Sequence, residues 1–355
     1  MINLSLPPVR EILKRLIKEK SVKKAVGYAN FMLSKKLPYF FSPLSMRISI
    51  TNRCNLNCLF CSNQYTKDKK KDMSFEEFKY ILGQFPFLEE VNLTSFGESF
   101  LNKDFFLMLE YLKKRRISAW CIDNFDLLNE KTARDLVNVG TIKKIYASID
   151  GGDKATFEML RGGAKFEDVV GNIKLLERQK LILNKKFPEI KLICTVSMKN
   201  IQNMGKIVEL AKELNLKEVL FSPLLIMDNY SPGYEELIKT MMPSMGLYQE
   251  EGKKAVQKGR ELGVNVCITE IKRFATDCYK WLWNEVDIGY DGAVWPCCRM
   301  DYGGDEKKNV PYGNIFKESF RRIWLSDRYR LTREKLSKGE LVEACRYKGF
   351  CEEGV

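Results

Sequence analysis

Three cysteines stand close together in Thr51-Asn52-Arg53-Cys54-Asn55-Leu56-Asn57-Cys58-Leu59-Phe60-Cys61, spaced C-x3-C-x2-C directly after the short β-rich run Met46 to Ile50. Three thiolates this near one another can wrap one small polynuclear metal cluster from a single loop, leaving a fourth metal position without a nearby protein ligand. The open position points to chemistry. A structural zinc site closes with four ligands, whereas an iron–sulfur cluster with one open iron can take a further molecule directly. The chain has no histidine, which excludes Cys/His zinc fingers, His-ligated haem, histidine general bases and Ser-His-Asp triads.

The elements that would position this loop are legible as six β-rich runs separated by helical stretches: residues 46–50, 91–96, 117–123, 145–150, 191–198 and 218–225. Alternation of this kind is the signature of βα units around a parallel sheet, and the intervals are long enough for the crossovers that parallel strands need. Between the runs lie helical patterns such as the one opened by Ser74, with Glu77 three residues on as a capping box, and the one from Ile201. The expected fold is α/β, a partial (β/α)6 TIM-like barrel over residues 46–235, with a helical and strand connector over 236–276 and a small cysteine-rich α+β domain over 277–355. In that last stretch Asp291-Gly292, flanked by VDIGY and AVWPC, signals a tight β-hairpin and puts Cys297 at a strand end. The short KDKKKD tract at 67–72 reads as a loop of low complexity.

The C-x3-C-x2-C loop, with the aromatic Phe60 before the last cysteine and a barrel strand before the first, resembles the defining motif of the radical S-adenosylmethionine (radical SAM) superfamily. The resemblance implies that Cys54, Cys58 and Cys61 hold a 4Fe-4S cluster whose open iron chelates the amino and carboxylate groups of SAM. One electron from that cluster then splits a C–S bond to give a 5′-deoxyadenosyl radical. Further segments carry the likeness. Ser95-Phe96-Gly97-Glu98-Ser99 is similar to the family's Gly-Gly-Glu-Pro element, implying that Gly97, Glu98 and Ser99 lie at the SAM amino group. Ile122-Asp123-Asn124-Phe125-Asp126 stands where the family has a Thr-Asn-Gly turn, of which Asn124 is kept. Ala147-Ser148-Ile149-Asp150-Gly151-Gly152, followed by Arg161-Gly162-Gly163, resembles the fourth-strand segment, which implies that Ser148 meets the ribose or carboxylate of SAM and that Arg161 pairs with the carboxylate. All of these fall at C-terminal strand ends, where barrel enzymes keep their chemistry.

After the barrel come Cys278, then Gly292-x4-Cys297, and finally Cys345 and Cys351, with Gly313-Asn314-Ile315 and a helix from Ser319 to Trp324 between. This order resembles the SPASM domain or its shorter "twitch" form. It implies one auxiliary 4Fe-4S cluster bound by Cys278, Cys297, Cys345 and Cys351, because a full SPASM domain needs about seven cysteines. A zinc site closed by four cysteines is the alternative, since spacing alone does not separate the two metals. Cys298 is left out as a ligand, because neighbours on an extended strand point to opposite sides. In sulfatase-maturing members an aspartate base stands at the position of Cys298, so that reaction is not expected here. Cys121, Cys194 and Cys267 lie in apolar runs and read as buried core.

Eleven cysteines in a 355-residue chain without an export signal suit metal ligation better than disulfides, and the expected location is the cytoplasm. No apolar run approaches the roughly 20 residues that span a bilayer. Of the net charge of +13, +7 comes from residues 1–45, where nine Lys/Arg meet two Glu in one or two amphipathic helices. That segment reads as a helical lid, or as a contact through residues 1–35 with an anionic membrane surface or partner; nucleic acid is not an expected partner. The resemblance implies a radical SAM oxidoreductase-type enzyme that takes hydrogen from its substrate, with an electron donor such as flavodoxin or ferredoxin. Oxidation or bond formation on a carbohydrate, cyclitol or lipid-linked precursor is the leading expectation. Maturation of a ribosomally made peptide is the second, since about 45 N-terminal residues are short for the leader-binding domain of many peptide-modifying members. A non-catalytic zinc or iron–sulfur protein is the reading of a different class.

Overall fold

The structure, a computed structural model, describes residues 43–65, 69–224, 232–269, 285–296 and 310–338, together with Val22, Ala25, Val26, Ala29 and Glu340. Its centre is one ten-stranded sheet. All six expected runs form strands of it: β1 (Ser45–Ile48), β3 (Glu90–Asn92), β4 (Ser118–Asp123), β5 (Ile142–Ser148), β7 (Glu189–Val196) and β8 (Glu218–Pro223). Two more parallel strands extend the set, β9 (Asn265–Ile268) beside β8 and β10 (Glu285–Ile288) beside β1. The hairpin strand β11 (Ala293–Trp295) and β12 (Gly313–Asn314) complete the order β12-β11-β10-β1-β3-β4-β5-β7-β8-β9. A separate antiparallel pair joins β2 (Asn57–Cys58) to β6 (Arg161–Gly162).

The crossovers are helical: α1 (Phe75–Gly83), α2 (Phe105–Lys114), α3 (Glu130–Val139), α4 (Lys154–Leu160), α5 (Phe166–Ile182) and α6 (Met204–Glu213), followed by α7 (Pro232–Met241) and α8 (Met245–Leu262). The capping box at α1 is formed as expected: the Glu77 amide donates to Ser74 Oγ at 3.2 Å and the Ser74 amide to Glu77 Oε2 at 2.8 Å. Strand side chains alternate between two environments, as period-2 geometry requires. Met46, Ile48, Ala119, Cys121, Ile145, Leu192 and Phe221 are buried in one core with Phe78, Leu109, Leu136, Ile173 and Val208 of the helices. The other face carries half-buried polar and aromatic groups, among them Lys191, paired with Glu218 at 2.9 Å, and Trp120, edge-on to Tyr146 with ring centres 5.9 Å apart.

The Asp291-Gly292 turn closes the β10–β11 hairpin, with Ile288 opposite Val294. Gly292 sits at φ 82°, where a side chain is both conformationally disfavoured and blocked by the ring of Phe316. Two short helices follow β12, α9 (Phe320–Trp324) and α10 (Asp327–Ser337). No helix among the described residues is long and apolar enough to cross a membrane.

Candidate active site

The cysteine loop leaves β1 and is held from three sides. The first hold is the 67–72 tract, whose described residues are a clamp and not merely a polar loop. Asn52 donates to Lys69 O at 2.9 Å and accepts from the Lys71 amide at 2.6 Å. Asp72 takes Thr51 Oγ1 at 2.6 Å and Arg53 Nη1 at 2.7 Å. Lys70 reaches Asn63 Oδ1 at 2.7 Å, just past the last cysteine.

The second hold is the turn after β3. Gly97 packs its backbone against that of Arg53 so closely that a Cβ would overlap it, and the Glu98 amide donates to Arg53 O at 2.6 Å. Only glycine permits this approach. The Glu98 carboxylate is buried and accepts from the amides of Phe100 (3.2 Å) and Asn124 (3.0 Å). Ser99 Oγ donates to Leu93 O at 2.6 Å, so its hydroxyl is engaged inside the turn. Asn124 Nδ2 donates to Asn55 Oδ1 at 2.9 Å and Asn55 Nδ2 to Asp126 Oδ2 at 2.6 Å, which ties the β4 end to the cysteine loop. Phe125, at the glycine of the Thr-Asn-Gly pattern, takes φ 60°, the left-handed conformation that a glycine there would adopt freely. Asp123 faces Glu98. Burial pushes both carboxyls up, Glu98 well above the usual carboxylate range with the charge of Asp123 adding to it.

The third hold is β6, which pairs with β2 in the register Cys58 opposite Arg161, extended by a 2.8 Å bond from the Leu59 amide to Leu160 O. Arg161 Nε forms an ion pair with the fully buried Asp150 at 2.6 Å, and Asp150 also accepts from the Thr195 amide at 2.7 Å. Burial disfavours the arginine charge, but Asp150 and the thiols of Cys58 and Cys61 outweigh it and hold the guanidinium protonated. The guanidinium lies close enough to Cys58 and Cys61 for its charge to act on both thiols. Ser148 is buried at the end of β5. Phe60 packs with Leu160, Leu224, Tyr234 and Ile238, and the Tyr234 hydroxyl donates to Phe60 O at 3.1 Å.

The thiols themselves are free and mutually coupled. Desolvation in the crowded loop, with Glu98 and the other two thiols adding, pushes Cys54 up to about 12. Burial likewise raises Cys58 and Cys61, while Arg161, and for Cys61 also Lys70, pull them back. Thiols in this state become thiolates only when a metal supplies positive charge. No three His, Cys, Asp or Glu side chains among the described residues close around a single metal-ion position. An open triad of soft donors on one loop, with cationic groups behind it, fits a polynuclear iron–sulfur cluster.

The loop thus gathers Cys54, Cys58, Cys61, Gly97, Glu98, Asn124 and Arg161 around one place. Cys278, Cys297, Cys345 and Cys351 lie outside the described residues. Cys121 and Cys194 are buried as expected, but Cys267 is only half-buried, its sulfur accepting from Asn265 Nδ2 at 3.4 Å. Asp150, Asp123, Lys70, Asp72 and Tyr234 were not singled out by motif. Asp123 and Asp150 lie in segments quoted for a neighbouring asparagine and serine, and Lys70 and Asp72 in the KDKKKD tract, whereas Tyr234 lies in none of the quoted segments.

Comparison with known proteins agrees with this geometry. Residues 48–182 match the family model of the radical SAM superfamily, and residues 278–351 match that of the SPASM iron–sulfur cluster-binding domain, a span that starts at Cys278 and ends at Cys351. The tungsten-containing aldehyde ferredoxin oxidoreductase cofactor-modifying protein of Pyrococcus furiosus is 25% identical over 322 residues, 84% of this chain and 85% of that protein. The AdoMet-dependent heme synthase of Methanosarcina barkeri is 27% identical over 338 residues, 87% of this chain and 90% of that one. A GTP 3′,8-cyclase of Campylobacter jejuni is 24% identical over 288 residues, 76% and 85% of the two chains. Among solved structures, Streptococcus suis SuiB bound to its precursor peptide SuiA superposes with a TM-score of 0.63 at 16% identity, over 98% of this chain and 76% of that one. The protein anSMEcpe with bound AdoMet gives 0.63 at 18% identity, over 86% and 82%. Fold, thiol loop and both family matches converge: this chain belongs to the radical SAM superfamily, as an enzyme that joins a partial α/β barrel to a C-terminal SPASM domain and uses SAM with SAM-binding and auxiliary 4Fe-4S clusters.

Proposed function

We propose that the chain abstracts a hydrogen atom from a small-molecule substrate and carries the resulting radical to an oxidised or newly bonded product. A carbohydrate, cyclitol or lipid-linked precursor is the substrate class. With SAM and the reduced cluster bound, reductive C–S cleavage supplies a 5′-deoxyadenosyl radical. The protein's part is to hold and exclude. Cys54, Cys58 and Cys61 would hold the cluster, and the Gly97-Glu98-Ser99 turn and Asn124 would receive the amino end of SAM. Arg161 would pair with its carboxylate, Ser148 would meet its ribose or carboxylate, and Phe60 would close the loop's apolar side. Cys278, Cys297, Cys345 and Cys351 would hold one auxiliary cluster able to accept the electron that the substrate radical loses on oxidation, and a flavodoxin or ferredoxin in the cytoplasm would be the reductant.

The three-thiol loop with a buried arginine paired across from Cys58 is the observation that carries this reading. The small-molecule class draws support from what the relatives are named for: a cofactor, GTP and heme. The peptide reading draws on fold neighbours solved with peptides bound, and a likeness at 16% and 18% identity speaks to the fold alone. Anaerobic reconstitution tests the proposal. About eight irons per chain and release of 5′-deoxyadenosine from SAM are expected, and replacing Cys54, Cys58 and Cys61 together by alanine should leave about four irons and no deoxyadenosine. Stoichiometric zinc without SAM turnover would overturn it.

A further inference from the structure

The end of the sheet remote from the thiols has a composition of its own. Strands β4, β5, β7 and β8 are neighbours, so the helix-to-strand loops that feed them form one continuous face. Over residues 113–117, 140–143, 181–188 and 212–217 these loops hold nine Lys/Arg against one acid, Glu213. Their charges lie close enough to repel: desolvation and the nearby Lys113 both lower the pKa of Lys143, whose ammonium sits 4.7 Å above the ring centre of Phe187. Lys185 and Lys186 are exposed and make no side-chain hydrogen bond or ion pair among the described residues. Set among these cations are three large apolar side chains, Leu181, Ile182 and Phe187, which are 79%, 66% and 43% exposed. They lie past the buried stripe of α5, which ends at Gln179, and before β7 begins.

Seven of the nine cations are lysine. Protein interfaces deplete lysine and favour arginine, whose planar fork matches carboxylates, and they seat apolar anchors in pockets. Here the apolar groups protrude from the last turn of α5 and the loop after it and are flanked by flexible ammonium groups. A lipid surface asks for that arrangement: aliphatic side chains entering the interface and lysine stems extending to anionic headgroups.

We propose that this face docks the enzyme onto an anionic lipid bilayer, with Leu181, Ile182 and Phe187 at headgroup depth and the surrounding lysines over the phosphates. The thiol end of the sheet then faces away from the membrane. The docking does not require the basic residues 1–35, which lie largely outside the described residues.

Flotation of the full chain with phosphatidylcholine vesicles, with and without phosphatidylglycerol, tests this. Binding is expected only with phosphatidylglycerol and should weaken as salt rises. Each lysine near such a surface contributes roughly fivefold, so K185E/K186E should weaken binding roughly 25-fold or more. L181S/I182S should weaken it at unchanged net charge, whereas K239E/K253E, the same charge change at exposed sites on α7 and α8, should leave it within about twofold. Absence of binding to anionic vesicles, or equal losses from K185E/K186E and K239E/K253E, overturns the proposal. Vesicle binding untouched by K185E/K186E, with slower reduction by flavodoxin or ferredoxin instead, would assign the face to an acidic protein and also overturn it. Thermal melts of each variant, expected to match the parent, exclude misfolding as the cause.

Discussion

The two ends of one sheet treat polar groups in opposite ways. At the C-terminal ends of the strands the polar side chains named above nearly all have a partner, and Asp150, Glu98, Asn124 and Thr51 are buried with theirs: Arg161 with Asp150, Asn124 with Asn55, Glu98 with two amides, Asp72 with Thr51 and Arg53. At the N-terminal ends lysines stand exposed beside exposed aliphatic groups. Burial with full pairing fixes geometry, because each group can satisfy its hydrogen bonds in only one arrangement and leaving one unmade is costly. Exposure without pairing fixes little and leaves a surface free to meet something else. The first end is held in one arrangement, and the second is free to tolerate change.

Substitutions should break this contrast at one end and leave it intact at the other. The largest effect is expected for Arg161→Ala, which strands the fully buried Asp150 carboxylate. The loss should be about 3–5 kcal/mol in denaturant unfolding, and Arg161→Lys should restore only part of it because an ammonium lacks the planar fork. Asn124→Ala comes next, at about 1 kcal/mol. In a double-mutant cycle with Asn55→Ala the two should couple by about 0.5–1.5 kcal/mol; additivity within error would mean that the Asn124–Asn55 bond does not tie β4 to the cysteine loop. The smallest effect belongs to the opposite end. Replacing Lys185 and Lys186 by glutamine should change stability by less than about 0.5 kcal/mol, and a larger change would show those lysines to be structural.

What was legible in the sequence was local. The Ser74–Glu77 capping box and the Asp291-Gly292 turn depend on a few consecutive residues, and both formed as their patterns require. The six strands were legible for the same reason, each being a short apolar or alternating run. The two further parallel strands were harder to see. Asn265–Ile268 is only four residues long and half-buried, and β10 was visible as a hairpin arm but not as a neighbour of β1, from which it is separated by most of the chain. The thiol triad could be found because a cluster needs its ligands from one loop. Its supports could not, because the Lys70, Asp72 and Asp150 contacts arise only when distant loops meet, and nothing about a charged tract such as KDKKKD announces which of its members will be clamped. Phe125 shows the opposite case: the residue departs from the glycine of the Thr-Asn-Gly pattern, while the backbone keeps the left-handed turn regardless.

The pairing of β1 with β10 has a consequence for how the protein is made. Ser45 lies opposite Glu285, and the Ser49 amide bonds to Ile288 O at 2.9 Å, so the edge of the strand that leads into the cysteine loop is covered only by residues near the far end of the polypeptide. A nascent chain leaving the ribosome presents that edge bare until some 240 further residues have been synthesised, and an uncovered strand edge is a template for unwanted pairing. The cysteine loop therefore leaves the ribosome well before the sheet beside it can be completed, and that interval is when the bare edge has most need of protection.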